Sequence, residues 1–513
     1  MSRTRRMLGG LAFGYANQVL LTLVGLWLTA FLLARLGRDE YGLWLVGTRV
    51  LGYLMLLDVG VVALLPRDLA FATGRAGGAE HAPDLADIVA RTAGVVAWQM
   101  PLVALAAAGV WLGLPEEWTA LRAPLGMVMA TFVLLFPFRI FHSALIGLQD
   151  LAALGAASTV TWAVGTATTV GLVFAGWGLQ ALAAGWVAQQ ALAGVWWCAR
   201  LRRRFPRATP RTFKAVNARG ARDYLGRGIW ISISQVAQTF LTGTDVLVIG
   251  TLLGPSAVVP YFCTGKVLTV LANQPQLFAQ TAQPALSELR TGATRARLEQ
   301  VVTALTQAIL IASGGIVCVV LLTNEGFVRW WVGPAQYGGA GLTALLLAGM
   351  LLRHWNMTAV YSLFAFGFDR RIALTNLADG IITVVASVTL VRSLGLPGAA
   401  LGSLVGVVLV ALPANLVGLR RATGVPLPQL LAPLLPWLWR FALVAAVAAA
   451  LAEVWTPGGV LPLVVAGSGT LVAYLALVAP LALRDPLGIY LRPRLGRFSR
   501  LVPGWITEAA RDA

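Results

Sequence analysis

Apolar runs of about 20 residues recur from one end of this chain to the other, and each is long enough to cross a hydrocarbon core about 30 Å thick. The 513 residues are 58% hydrophobic and only 12% charged, with a mean hydropathy of +0.77, whereas soluble domains carry about 25% charged residues. A globular core cannot absorb so much apolar sequence, but lipid can. The expected fold class is an all-α polytopic membrane protein of about fourteen transmembrane helices. The spans read as 11–34, 41–65, 89–112, 125–147, 154–174, 178–200, 228–252, 257–285, 301–322, 339–366, 372–392, 397–418, 434–453 and 460–482. The loops between them are short, and none could hold a soluble domain.

The first run follows "MSRTRR". It exceeds a secretory h-region, lacks a clean A-x-A site and leads straight into further spans, so it reads as retained. Cys198, Cys263 and Cys318 all fall within spans and have no disulfide or zinc spacing, which suits small buried hydrophobes. No cofactor is expected.

Basic residues divide the loops into two classes. The N-terminus, the even-numbered loops and the tail carry 29 of the 39 Lys and Arg, and the opposite loops only Arg35, Arg38, Arg122, Arg329 and Arg392. The positive-inside rule then places both termini in the cytoplasm. The densest run, "RLRRRFPRATPRTFKAVNARGARDYLGR" from Arg200 to Arg227, reads as topology setting and contact with anionic head groups rather than nucleic-acid binding. The net charge of +18 has the same explanation.

The second half matches the first when shifted by 217 residues. Gln18-Val19 falls on Gln235-Val236, Leu36-Gly37 on Leu253-Gly254, Gly178-Leu179 on Gly395-Leu396, Gly185 on Gly402, and Arg203-Arg204 on Arg420-Arg421. Spans 1–6 and 7–12 therefore read as copies. The expected division is an N-lobe (1–200), a basic linker (201–227), a C-lobe (228–421), two appended spans (422–483) and a basic tail (484–513). Six is even, so both copies enter the membrane from the same side, as parallel repeats do. Two such bundles around a central cavity suit alternating access.

Within the spans, five basic residues stand out: Arg49, Arg139, Lys266, Arg353 and Arg440. A cation at mid-membrane costs roughly 2.5–3.5 kcal/mol on insertion scales. Arg440 lies near a helix end and can snorkel. In "YGLWLVGTRVLGYLMLLDVG", Asp58 is nine residues after Arg49; on a helix that is about 13 Å and half a turn out of phase, so it is no local partner. Arg49 and Lys266 coincide in the 217-residue register, and Arg139 and Arg353 occupy matching spans. Below Lys266, the residues Asn273, Gln276, Gln280 and Gln283 fall within an arc of about 100°. Such a stripe could line a wet cavity, or could form interhelical hydrogen bonds worth about 0.6 kcal/mol each. Pro275 and Pro284 should kink this helix. The deep acids are only Asp58, Asp245 and Asp379. Either each deep cation finds an acid or a helix carbonyl, or some positive charge awaits a phosphate or pyrophosphate on the substrate. Asn17, Gln18, Gln235 and His354 complete the expected binding set.

"NQVLLTLVGLWLTAFLLARLGRDEYGLW", "GYLMLLDVGV", "ALIGLQD" and "TDVLVIGTLLGPSAVVPYF" together resemble bacterial polysaccharide flippases. These belong to the multidrug/oligosaccharidyl-lipid/polysaccharide exporter superfamily, which includes the O-antigen and lipid II flippases. The resemblance covers spans 1–12 and is clearest in spans 1–2 and 7–8. It implies a multi-pass protein of the bacterial inner membrane that moves a polyprenyl-pyrophosphate-linked oligosaccharide between leaflets. By the same analogy, spans 13–14 would line a groove for the lipid tail, and ion gradients would drive transport, with Asp58, Asp245, Asp379, His142 and His354 as ion-coupling candidates. Membrane lipids and polysaccharide polymerase or assembly proteins are the implied partners.

Two rivals follow. A multidrug cation antiporter would share the fold, but should line its cleft with acids and aromatic residues. A membrane polysaccharide polymerase or ligase would need acid–base residues on a sizeable outer loop. The longest outer loop, "TNEGFVRWWVGPAQYGG" from Thr323 to Gly339, has one Glu, one Arg and no His, so no enzyme is expected.

Overall fold

The computed structural model describes residues 3–58, 61–78, 80–210, 218–289 and 294–495; the side chains of 3–16, 61, 63, most of 218–231, 280–285, 287–289, 295 and 493–495 lie outside the described set. Among the described residues every regular element is helical. Lipid demands this, because a helix satisfies its backbone polar groups within its own segment. The helices follow the order of the expected spans. Nine of them, or ten if one bent pair is counted as a span, are long and apolar enough to cross a membrane among the described residues. One of the nine, Asn17–Asp58, is 42 residues long and is interrupted at Gly37, where φ is 79°. At 1.5 Å per residue it is long enough for two passes.

The chain divides into two compact units, Met1–Thr239 and Phe240–Ala513. Unit 1 contains α1 (Arg3–Leu54), α2 (Val61–Arg75), α3 (Leu85–Leu112), α4 (Thr119–Leu135), α5 (Arg139–Gly147), α6 (Leu151–Phe174), α7 (Leu179–Arg204) and the start of α8 (Ala218–Leu252). Span 2 is broken rather than continuous. A 3-10 turn at Met55–Asp58 ends its first half, and α2 resumes it. The Asp58 carboxylate accepts the Val62 N–H at 3.0 Å, so the restart carries its own cap. The Asp58 carbonyl accepts from Gln99 Nε2 at 3.0 Å, which ties the break to α3. Span 4 is likewise divided between α4 and α5 by the turn Phe136–Phe138, which contains Pro137.

Unit 2 continues with α9 (Val258–Thr264), α10 (Lys266–Leu289), α11 (Arg295–Val332), α12 (Ala340–Ala365), α13 (Asp369–Leu394), α14 (Leu396–Gly406), α15 (Leu412–Thr423), α16 (Leu427–Leu431), α17 (Leu435–Val454), α18 (Val460–Ala482) and α19 (Gly488–Leu495). Span 8 bends by 50° between α9 and α10, at Gly265. Pro275 and Pro284, where kinks are expected, both lie inside α10, and the bend at Gly265 was not among the expected ones. Tertiary partners hold the chain at that bend: the Thr264 carbonyl accepts from Asn324 Nδ2 at 3.0 Å, and its hydroxyl accepts the Gly338 N–H at 2.7 Å. The expected outer loop at 323–339 is also shorter than it looked. Helix α11 runs on to Val332, and Asn324 is a buried structural donor. Between α14 and α15 a π-bulge at Val407–Ala411 precedes Pro413. Proline offers no N–H to the Leu409 carbonyl, and the bulge absorbs that mismatch.

The backbone carries the 217-residue register at its corners. Gly37 (φ 79°, ψ 178°) corresponds to Gly254 (φ 90°, ψ 157°), and Gly178 (φ 54°, ψ −135°) to Gly395 (φ 65°, ψ −139°). Side chains rarely adopt such dihedrals, so glycine is kept at both copies of each corner. The close helix pairs correspond too. A Cβ on Gly185 would strike Thr169 and Gly165 of α6, and one on Gly402 would strike Ser387 of α13. Small residues let these backbones touch, which is how helices associate where lipid supplies no hydrophobic drive.

Helices α17 and α18 dock on α11. The contact is keyed by Tyr474, which is fully buried. Its hydroxyl donates to the Ile311 carbonyl at 2.8 Å and accepts from Trp437 Nε1 at 2.9 Å. A Cβ on Gly314 would lie 2.6 Å from that hydroxyl, so glycine makes the notch it fills.

Candidate functional site

In unit 1 the break in span 2 brings Asp58 to face α5. Asp58 is 3% exposed, and its Oδ2 meets Arg139 Nη2 at 3.5 Å. The two residues are 81 apart in sequence. The Arg139 guanidinium also lies 5.4 Å from the centre of the Phe136 ring. Its Nη1 is buried and has no hydrogen-bond partner among the described residues. A cavity of about 370 Å³ opens beside this pair, lined by Asp58, Arg139, His142, Gln190 and Gln235 together with the indoles of Trp186 and Trp197. The His142 and Trp197 rings stand 4.7 Å apart. Thus Arg139, Asp58 and Gln235 converge, while Gln190 and the two tryptophans were not singled out from sequence. The pair Gln189-Gln190 inside an apolar span was the available signal.

Arg49 sits apart from that cluster, half-buried on the second segment of α1. Among the described residues no carboxylate lies within ion-pair distance of it. Asn17 is taken up within the unit, accepting on Oδ1 from Thr159 Oγ1 at 3.1 Å, while Gln18 is exposed.

Unit 2 treats its cations differently. Arg353 is fully engaged: Nη1 meets Asp379 Oδ2 at 3.0 Å, Nε and Nη2 donate to Ser403 Oγ at 3.1 and 2.9 Å, and Nη2 also donates to the Ser403 carbonyl at 3.1 Å. Asp379 is 1% exposed and accepts from Thr383 at 3.2 Å on its other oxygen. One guanidinium therefore fastens α12, α13 and α14 together. His354 is buried as well, with Nδ1 2.7 Å from Ser313 Oγ of α11. Arg353 and His354, both in the expected binding set, thus meet partners that the fold itself supplies. Asp245 accepts the Tyr261 hydroxyl at 2.7 Å.

Lys266 is the first residue of α10, immediately after the Gly265 bend. Its ammonium stands 5.0 Å from the centre of the Phe262 ring, an arrangement that partly offsets desolvation. Among the described residues it has no carboxylate partner. Asn273 and Gln276 are exposed on α10. The side chains of Gln280 and Gln283 lie outside the described residues. Of the four deep cations, then, Arg139 and Arg353 meet aspartates, and Arg49 and Lys266 do not. Those two are the pair related by the 217-residue register.

Over residues 148–335 the chain matches a family described as polysaccharide biosynthesis protein. No curated protein sequence matches closely enough to count as a relative. Among solved structures, the lipid II flippase MurJ in its inward closed conformation aligns with a TM-score of 0.65 at 10% identity, covering 91% of this chain and 98% of that one. A multidrug resistance MATE family transporter of the MOP superfamily aligns in its inward-facing conformation at 0.61 and 15% identity, over 79% of this chain and 94% of that one. Its outward-facing conformation gives 0.52, again at 15% identity, over 80% and 93%. At such identities the likeness is one of fold.

Proposed function

We propose, from a fold of the MOP superfamily and a polysaccharide-biosynthesis sequence pattern over 148–335, that this chain is a flippase for a polyprenyl-pyrophosphate-linked oligosaccharide. It works by alternating access between two lobes in the bacterial inner membrane, with both termini in the cytoplasm. The division into 1–200, 228–421 and 422–483 belongs to this reading. The observation that carries it is the pair Arg49 and Lys266, equivalent in the two repeats and without a carboxylate among the described residues. A deep cation left unpaired is costly, and a pyrophosphate rich in acceptor oxygens relieves that cost when it arrives. Arg139, with one nitrogen free of protein partners, is the third contact. Asn17, Gln18, Gln235, Asn273, Gln276 and Gln280 supply hydrogen bonds to the sugars, while Arg353 and His354 hold the scaffold. Coupling-ion chemistry falls to Asp58, Asp245 or Asp379, and Asp58 is the one that lines the cavity described above.

Arg49→Ala and Lys266→Ala test the reading by complementation of glycan export, with the amount of protein in the membrane measured alongside. Each substitution removes a charge-assisted contact worth about 1.5–3 kcal/mol, so export should fall roughly ten- to a hundredfold at unchanged protein level. Full complementation by both variants would remove these residues from the mechanism. Thermal stabilisation of the purified protein by polyprenyl-pyrophosphate sugars, and not by cationic dyes, separates this function from a cation antiporter.

A further inference from the structure

The two interruptions in unit 1 meet at one place. The turn Met55–Asp58 in span 2 and the turn Phe136–Phe138 in span 4 both give side chains to the wall of the 370 Å³ cavity beside Asp58 and Arg139. Interrupted spans are tolerated where the irregular backbone is buried or lines a cavity, and broken helices commonly build ligand sites. Helix α7 adds one of its faces to that wall. Positions 186, 190 and 197 fall within an arc of about 40° on a helix, so Trp186, Gln190 and Trp197 reach the cavity together.

Packing alone does not call for this wall. In the 217-residue register Trp186, Gln190 and Trp197 correspond to Ser403, Val407 and Ala414, and His142 to Ala359. Unit 2 thus builds the same helices without rings or amides at these positions, and its Ser403 is taken up by the Arg353 clamp. In unit 1 the polar groups stay open. Among the described residues the Gln190 and Gln235 amides and the indole N–H groups of Trp186 and Trp197 make no hydrogen bond, whereas the Trp437 indole is held by Tyr474. Arg139, with its side chain 29% exposed, meets Asp58 through one nitrogen at 3.5 Å and keeps further donors.

Indole faces, amides and a guanidinium around a cavity of this size suit a sugar. A pyranose presents an apolar face of C–H bonds to an aromatic ring and a rim of hydroxyls to polar groups. The volume lies at the small end of ligand pockets, about 300–1,000 Å³. A flat cation is the other occupant that aromatic walls favour, but Arg139 repels it and already answers the charge of Asp58.

We infer, building on the function proposed above, that this cavity is the subsite for the pyranose bonded directly to the pyrophosphate. Trp186 and Trp197 bear on the ring, and Gln190 and Gln235 bind its hydroxyls. Arg139 sits where that sugar ends and reaches the adjoining phosphate oxygen.

The test compares two lipids on the purified protein: polyprenyl pyrophosphate, and the same lipid carrying a single glucose. Ligand-dependent melting gives an apparent affinity for each. In the wild-type chain the glucose should tighten binding roughly tenfold, which two aromatic contacts can supply. Trp186→Leu/Trp197→Leu should erase that increment while still binding the bare lipid, which also shows that the variant is folded. Trp186→Phe/Trp197→Phe retains ring faces and should keep most of the increment. Gln190→Leu should lose part of it, and serves if the double leucine variant does not fold. An increment that is absent from the wild-type chain, or that persists in the leucine variants, would overturn the subsite and leave the proposed function standing. Stabilisation by ethidium that the leucine pair abolishes would overturn the sugar in favour of a flat cation. If neither lipid stabilises the wild-type chain, the proposed function falls and the subsite with it.

Discussion

If Arg353 is a clamp rather than a substrate contact, its removal should cost stability before it costs anything else. Arg353→Met leaves Asp379, 1% exposed, with Thr383 as its remaining side-chain partner. It also empties three hydrogen bonds to Ser403. Breaking a buried pair from one side typically costs about 3–5 kcal/mol, because the surviving charge is stranded. Asp379→Asn should cost less, about 1–3 kcal/mol, since the amide can still accept from Thr383 and from the guanidinium, whose side chain is 24% exposed. The double variant Arg353→Met/Asp379→Leu removes both charges and fills the space with apolar atoms, so it should recover most of what Arg353→Met loses. Thermal unfolding of the purified variants in one detergent, followed by tryptophan fluorescence, ranks them; the coupling energy, not any single melting temperature, is the quantity of interest. The clamp is refuted if the double variant is as damaged as the two single losses added together. It is equally refuted if Arg353→Met melts like the wild-type protein yet fails in transport.

Gly402→Ala should destabilise the protein by about 1–3 kcal/mol, because its methyl group would meet the Ser387 backbone; the same melting assay shows it, and an unchanged melt would mean that α14 can back away from α13. Asp58→Asn should preserve the cap on α2 and lose only the ion pair with Arg139, whereas Asp58→Ala should lose both and cost about 1 kcal/mol more. Equal stability of those two variants would show that the Val62 contact contributes nothing. A cysteine at Asn273 or Gln276, both exposed on α10, should react with a water-soluble thiol reagent in membranes. Inert cysteines there, beside loop cysteines that label, would mean that the stripe faces lipid or packing and not water.

The expected spans carried over into helices because length and apolarity are local properties. Gly37, Gly178, Gly254 and Gly395 were legible as matches between the two halves, and their positive φ supplies the reason that glycine stands there. What escaped was decided at a distance. Arg139 and Asp58 are 81 positions apart, and no periodicity links them. The bend in span 8 at Gly265 goes with Asn324 and Gly338, which hold Thr264 from far along the chain. A count of deep acids and bases gives an excess of positive charge. It could not say which bases were matched, because Arg353 with Asp379 is a matter of facing helices and not of spacing.

The notch at Gly314 has an implication for the length of the molecule. Tyr474 fills it, and Trp437 stands against both. The last two spans are therefore a fitted part of unit 2, and a shortened chain ending before Leu435 would expose a bare groove along α11.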